Sequence, residues 1–150
     1  MADQAYAYQF RVSLHDTDAA GVLFFAHLFR HAHDAYEAWM GELGFALDEM
    51  IRDGGLALPL VHAEADFKRP LRHGDLIRVE VRVDELRASS FGVGYRFLTA
   101  DGILAAIART VHVAVRPGDS ASRVLPDDLA ATLRSRLDSS AQRRPAETQT

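Results

Sequence analysis

The apolar pattern of this chain changes period once, near its start, and that change restricts the possible folds more than any other feature of the 150 residues. Tyr6, Tyr8, Phe10, Val12 and Leu14 alternate with Ala7, Gln9, Arg11 and Ser13, the period of a half-buried strand. Phe25, Leu28, Phe29, Ala32, Tyr36, Trp39, Met40 and Leu43 then recur at three- and four-residue steps, which marks one apolar face of a long helix. The joint between them reads Asp16-Thr17-Asp18-Ala19-Ala20-Gly21-Val22-Leu23-Phe24-Phe25. Carboxylates and a glycine therefore sit where a strand hands over to a helix N-terminus, where backbone N–H groups lack partners and negative charge is favoured. A carboxylate beside such donors can attack a carbonyl or activate water while the donors hold the developing oxyanion.

Downstream, Gly44 is placed to end the helix, and a short helical piece over 47–52 stops at Gly54-Gly55. Strands follow. The segment 58–68 starts beside Pro59, which points to an edge. Past a turn at His73-Gly74-Asp75, Ile77, Val79, Val81 and Val83 share one face, and past Ser89-Ser90 so do Phe91, Val93, Tyr95 and Phe97. Thr99-Ala100-Asp101-Gly102 carries the hairpin signal Asp-Gly. In the last strand, 103–115, the alternation assigns Ile103, Ala105, Ile107, Val111, Val113 and Val115 to one face, interrupted by Arg109. Pro126-Asp127-Asp128 opens a final helix. The expectation is one α+β domain over 1–138, followed by a disordered polar tail over 139–150.

Length and balance fit a single globular domain, with 48% hydrophobic and 25% charged residues. No window reaches the ~20 apolar residues of a membrane span, and Met1-Ala2-Asp3-Gln4 lacks the basic and apolar regions of a signal peptide. Cysteine is absent, which removes disulfides, thiolate metal sites and a cysteine nucleophile. Cytoplasmic location is expected. A net charge of -4 argues against a general nucleic-acid partner, while leaving room for a local cluster of arginines.

The acidic joint resembles the active-site loop of the hotdog-fold acyl-CoA thioesterases, specifically the 4-hydroxybenzoyl-CoA thioesterase type. That pattern is Asp-x-Asp-x-x-Gly-x-Val followed by aromatics. The resemblance runs on through His33-Asp34-Ala35-Tyr36-Glu37-Ala38-Trp39, Ala57-Leu58-Pro59-Leu60-Val61-His62-Ala63, Asp66-Phe67 and Gly74-Asp75. These later segments are most similar to the branch that hydrolyses 1,4-dihydroxy-2-naphthoyl-CoA in quinone biosynthesis. The resemblance implies an antiparallel sheet wrapped around a central helix, no metal or organic cofactor, and a homodimer or homotetramer with active sites at the dimer interface. It implies Asp18 as the catalytic carboxylate, Gly21 as the turn glycine and the Phe25 N–H as oxyanion donor. It also implies His33 and His62 at the acyl pocket, and Arg87, Ser89 and Ser90 at the phosphates of CoA. The relatives' more basic version of that last segment is diluted here by Ala88 and Ser89. Alternatives in the same fold are a 4-hydroxybenzoyl-CoA or broad acyl-CoA thioesterase, and a non-catalytic or dehydratase-like acyl-binding module, the latter supported by a histidine facing the substrate from the partner subunit.

Other residues have plainer readings. Asp16, like many Asp residues in turns, is expected to be structural. His27 and His31 share a helix face at a spacing that can hold a metal, but further spaced ligands are not evident, so surface or partly buried histidines are expected. Glu37 is expected to solvate the helix. Arg78 and Arg82 read as a solvated strand face, and Lys68, Arg69 and Arg72 form a second basic cluster able to share phosphate binding.

Overall fold

The computed structural model describes residues 5–137, so the tail expected from 139 onward lies outside the described residues. Strand β1 is Tyr6–Arg11, helix α1 Phe25–Glu42 and helix α2 Leu47–Asp53. Strands β2 (Leu60–Phe67), β3 (Leu76–Leu86), β4 (Ser90–Leu98) and β5 (Leu104–Val113) follow, then helix α3, Asp127–Ser135. The strands form one antiparallel sheet in the order β1-β3-β4-β5-β2. With the long helix lying on one face of that sheet, this is the hotdog arrangement. Among the described residues no helix is long and apolar enough to cross a membrane.

Register decides which side chains meet α1. Tyr8, Val79, Phe97, Ala106 and Phe67 stand opposite one another across all five strands, and directly opposed residues share a face. Against that face α1 buries Leu28, Ala32, Ala35, Tyr36, Trp39 and Met40. Each of the larger side chains contributes about 1.5–3 kcal/mol by leaving water. Ala32 and Ala35, both fully buried, let the helix backbone approach the sheet closely.

Two expectations change. First, β1 stops at Arg11: Ser13 N–H donates to Asp16 Oδ2 (2.9 Å), closing a short 3-10 turn over Leu14–Asp16 that leaves Leu14 72% exposed. Second, Ala105 is buried, but from Ala106 onward the buried face of β5 is the opposite of the one assigned by alternation. Ala106, Ala108, Thr110 and His112 face the core, while Ile107, at 37% exposure, lies on the outer face. Both alternating sets are largely apolar, so pattern alone does not choose between them. The paired strand does: Ala106, Ala108 and His112 stand opposite Phe97, Tyr95 and Phe91 of β4, all buried, and the Tyr36 ring of α1 stacks on His112 with centroids 4.2 Å apart.

Candidate active site

Asp18 stands in a tight turn that its own atoms build. Its N–H donates to Val22 O (2.8 Å), its C=O accepts from Gly21 N–H (3.0 Å), and its Oδ1 accepts from Ala20 N–H (2.9 Å) and Val22 N–H (3.2 Å). Gly21 closes the turn at φ +75°, a conformation glycine takes without steric cost. Asp18 is thus a turn former and something more: among the described residues its Oδ2 has no hydrogen-bond partner, and the residue is exposed. One oxygen fixes the carboxylate and the other is left open.

The loop next places the start of α1. Leu23 N–H donates to Leu71 O (2.7 Å) and Phe24 N–H to Asp16 O (2.9 Å), so Phe25 enters the helix as its first residue. Its N–H is one of the donors that a helix cannot satisfy internally. Asp18, Phe24 and Phe25 line a cleft of about 500 Å3 whose other wall comes from Phe67, Lys68 and Arg69. Phe25 is 60% exposed, so its ring belongs to this cleft and not to the buried face of α1 where its spacing assigned it.

Beneath the loop lies a buried ion cluster. Asp16 is fully buried; Oδ1 accepts from Arg30, and Oδ2 accepts from Ser13 N–H and from His31 Nε2–H at 3.0 Å. Burial works to raise the Asp16 pKa, but the Ser13 N–H, His31 and Arg30 outweigh it and hold the carboxyl at about 2. His31 lies flat on Phe10, with ring centroids 3.7 Å apart, and burial lowers its pKa against the pull of Asp16. Its Nε2 is committed to Asp16, whereas His27 rests on the edge of Phe24.

The other residues expected in the site lie elsewhere in the chain. His62, Arg87 and Ser90 meet in a second cleft of about 440 Å3, together with Glu64, Glu85 and Arg109. Arg87 Nε donates to Glu85 Oε1 (2.6 Å), and His62 pairs with Glu64 at 3.4 Å. Arg109 donates to Asp84 Oδ2 (2.7 Å) and Glu85 Oε2 (2.8 Å). A bulge between Val83 and Glu85 puts these two acids in reach of one arginine. His33 is exposed on α1 with its ring beside Tyr36. Ser89 accepts from Ala114 N–H through its carbonyl (2.8 Å).

One group went unnoticed in the sequence. His112, 1% exposed, is stacked between Tyr36 and Phe91. Its Nδ1–H donates to Leu58 O (3.2 Å), which leaves Nε2 to accept from Thr110, and the Thr110 oxygen meets Tyr95 OH at 2.9 Å. Burial depresses its pKa to about 4. Within β5 the only local sign was a polar Thr110 and His112 in step with alanines.

Residues 12–133 match the model of the thioesterase-like superfamily. The chain belongs to that superfamily. It is 38% identical over 122 residues to the 1,4-dihydroxy-2-naphthoyl-CoA hydrolase of Microcystis aeruginosa, covering 81% of this chain and 88% of that protein. The solved structure of a 1,4-dihydroxy-2-naphthoyl-CoA thioesterase from Synechocystis superposes with a TM-score of 0.81 at 33% identity, covering 87% of this chain and 96% of the other. A gentisyl-coenzyme A thioesterase superposes at 0.78 and 29% identity, covering 85% and 99%.

Proposed function

We propose that this chain hydrolyses an aromatic acyl-CoA thioester, with 1,4-dihydroxy-2-naphthoyl-CoA as its substrate, Asp18 as the catalytic carboxylate and the Phe25 N–H as oxyanion donor. The observation that carries this reading is the state of Asp18: Oδ1 is held by two backbone N–H groups, Oδ2 has no hydrogen-bond partner among the described residues, and the residue lines the cleft shared with the first residue of α1. In that setting Oδ2 either attacks the thioester carbon, giving an aspartyl anhydride and releasing the thiolate of CoA, or takes a proton from an attacking water. The carbonyl oxygen gains charge on both routes, and a helix-start N–H is suited to meet it. Single turnover in 18O-labelled water separates them, because hydrolysis of an anhydride at its aspartyl carbon leaves label in Asp18.

The naphthoyl assignment is supported by the relatives at 38% and 33% identity, and the gentisyl neighbour keeps single-ring aryl-CoAs in the test panel. A cytoplasmic homodimer or homotetramer fits a cysteine-free chain whose edge strand β2 exposes Leu60, Val61 and Phe67. Static light scattering checks the assembly, in which His62 and His33 are the proposed acyl contacts.

The deciding measurement is steady-state hydrolysis across 1,4-dihydroxy-2-naphthoyl-, gentisyl-, 4-hydroxybenzoyl-, benzoyl- and acetyl-CoA. We expect kcat/KM for the naphthoyl ester to exceed the benzoyl and acetyl values by at least ~100-fold, since polar groups set to meet ring hydroxyls are left unpaired by analogues lacking them. Asp18→Asn should lower turnover by at least ~100-fold with the fold intact. Wild-type turnover in that variant would remove Asp18 from the mechanism, and equal rates across the panel would make the enzyme a general thioesterase.

A further inference from the structure

We infer that the CoA part of the substrate is held through its phosphates by Lys68 and Arg69, on the wall of the Asp18 cleft, an assignment that rests on the thioesterase reading above. The sequence offers two basic segments for this task, and the structure separates them by what their charges already do. At the second cleft Arg87 is bound to Glu85, and Arg109 to both Asp84 and Glu85. With Glu64 on the same wall, two arginines stand among three carboxylates. An incoming phosphate would meet acid on every side and would have to break charge-assisted hydrogen bonds of 2.6–2.8 Å to recruit either guanidinium.

Lys68 and Arg69 are in the opposite condition. Both side chains are exposed, and among the described residues neither has a carboxylate partner. In a chain of net charge -4, two adjacent uncompensated cations facing the catalytic cleft are what a dianionic ligand requires. Their backbone is fixed: the N–H groups of Lys68 and Arg69 both donate to Ala105 O, at 2.8 and 3.0 Å, and Pro70 follows. The same segment is stitched to the acidic loop by Leu23 N–H to Leu71 O (2.7 Å) and His73 N–H to Gly21 O (3.3 Å). The cations and Asp18 are therefore held in one hydrogen-bonded unit. Both side chains are long and exposed, which suits phosphates at the far end of the pantetheine arm, with the thioester lying at Asp18.

The test compares the naphthoyl thioester of CoA with the same acyl group on pantetheine, which lacks the phosphates. Lys68→Ala/Arg69→Ala should raise KM for the CoA ester about 10-fold, leave KM for the pantetheine ester unchanged and leave kcat within about twofold. Added salt should raise the wild-type KM for the CoA ester and have little further effect in the double variant. Lys68→Arg/Arg69→Lys should restore most of the loss. An equal KM rise for both esters would overturn the assignment, as would an unchanged KM for the CoA ester, or a selective rise in Arg87→Ala with the Lys68 and Arg69 variants unaffected. Calorimetric binding of free CoA, read without turnover, separates the two levels of the argument. If wild type binds CoA, the double variant does not, and no thioester is hydrolysed, the catalytic reading fails and the phosphate site stands. Active double variant that binds CoA as wild type does sinks the phosphate site alone.

Discussion

Asp16 and Asp18 are separated by one residue and have opposite surroundings. Asp16 is closed in by Ser13, Arg30 and His31, all three donating to it; Asp18 spends one oxygen on its own turn and keeps the other open. Their variants should therefore fail in different ways. Asp18→Asn loses turnover, whereas Asp16→Asn should lose about 2 kcal/mol of stability at neutral pH, as hydrogen bonds to a charged group are removed, with a much smaller effect on turnover. The sign of the pH dependence follows from a folded pKa of about 2 against an ordinary value of 3.8. The carboxylate stabilises the fold fully above the unfolded value, and that contribution fades as pH falls through about 2. Urea denaturation of wild type and Asp16→Asn should show a gap that narrows between pH 5 and pH 2. A gap that stays constant over that range would mean that the charge of Asp16 contributes nothing.

At the scale of elements, the contact between β5 and α1 carries the most information. Ala106 and Ala108 are buried on the face on which, further along the strand, His112 stacks on Tyr36 of the helix, while Ile107 turns outward. A larger residue on the inner face has nowhere to go, since Ala108 is 2% exposed and packed on the core. Ala108→Leu should cost about 1–3 kcal/mol by overpacking, and Ile107→Ala less than about 1 kcal/mol, given its partial exposure. Thermal unfolding of both variants checks the order. The alternation in the sequence implies the reverse ranking, so the pair of measurements decides which face of β5 meets the helix.

For the whole molecule, the buried titratable groups act in one direction with acid. His112 is held at about 4 from an ordinary 6.5, chiefly by burial, and His31 is shifted downward as well. Between pH 6.5 and 4 the unfolded chain binds more protons at His112 than the folded protein does, so stability falls as pH falls. His112 must be neutral for its Nε2 to accept from Thr110, and protonation turns that bond round, with Nε2–H donating to the Thr110 oxygen. The Tm of wild type should therefore drop between pH 7 and pH 5. His112→Phe, which retains the ring stack, should flatten that drop in part, with His31 supplying what remains. An identical pH slope in the two proteins would show that His112 is not the titrating group.

What the sequence determined by itself is the local part of the molecule. The change of period from strand to helix placed β1 and α1 and, with the strands that follow, led to the α+β class; the resemblance of the acidic joint led to the hotdog fold. The turn at Asp18 and Gly21 was legible because it is made by hydrogen bonds among residues four or fewer apart. What the tertiary structure alone decided depends on surfaces distant in sequence coming together. Asp16 is a buried anchor because α1 returns Arg30 and His31 to it. The inner face of β5 is set by its pairing with the buried Phe91, Tyr95 and Phe97 of β4 and not by hydrophobicity, which both faces share. Arg109 is neutralised because a bulge brings Asp84 and Glu85 of β3 into its reach. Lys68 and Arg69 face Asp18 because hydrogen bonds between Leu23 and Leu71 and between Gly21 and His73 join two segments some fifty residues apart. Periodicity reports which side of an element is apolar; only packing fixes what that side meets, and with it which charges are left free to bind.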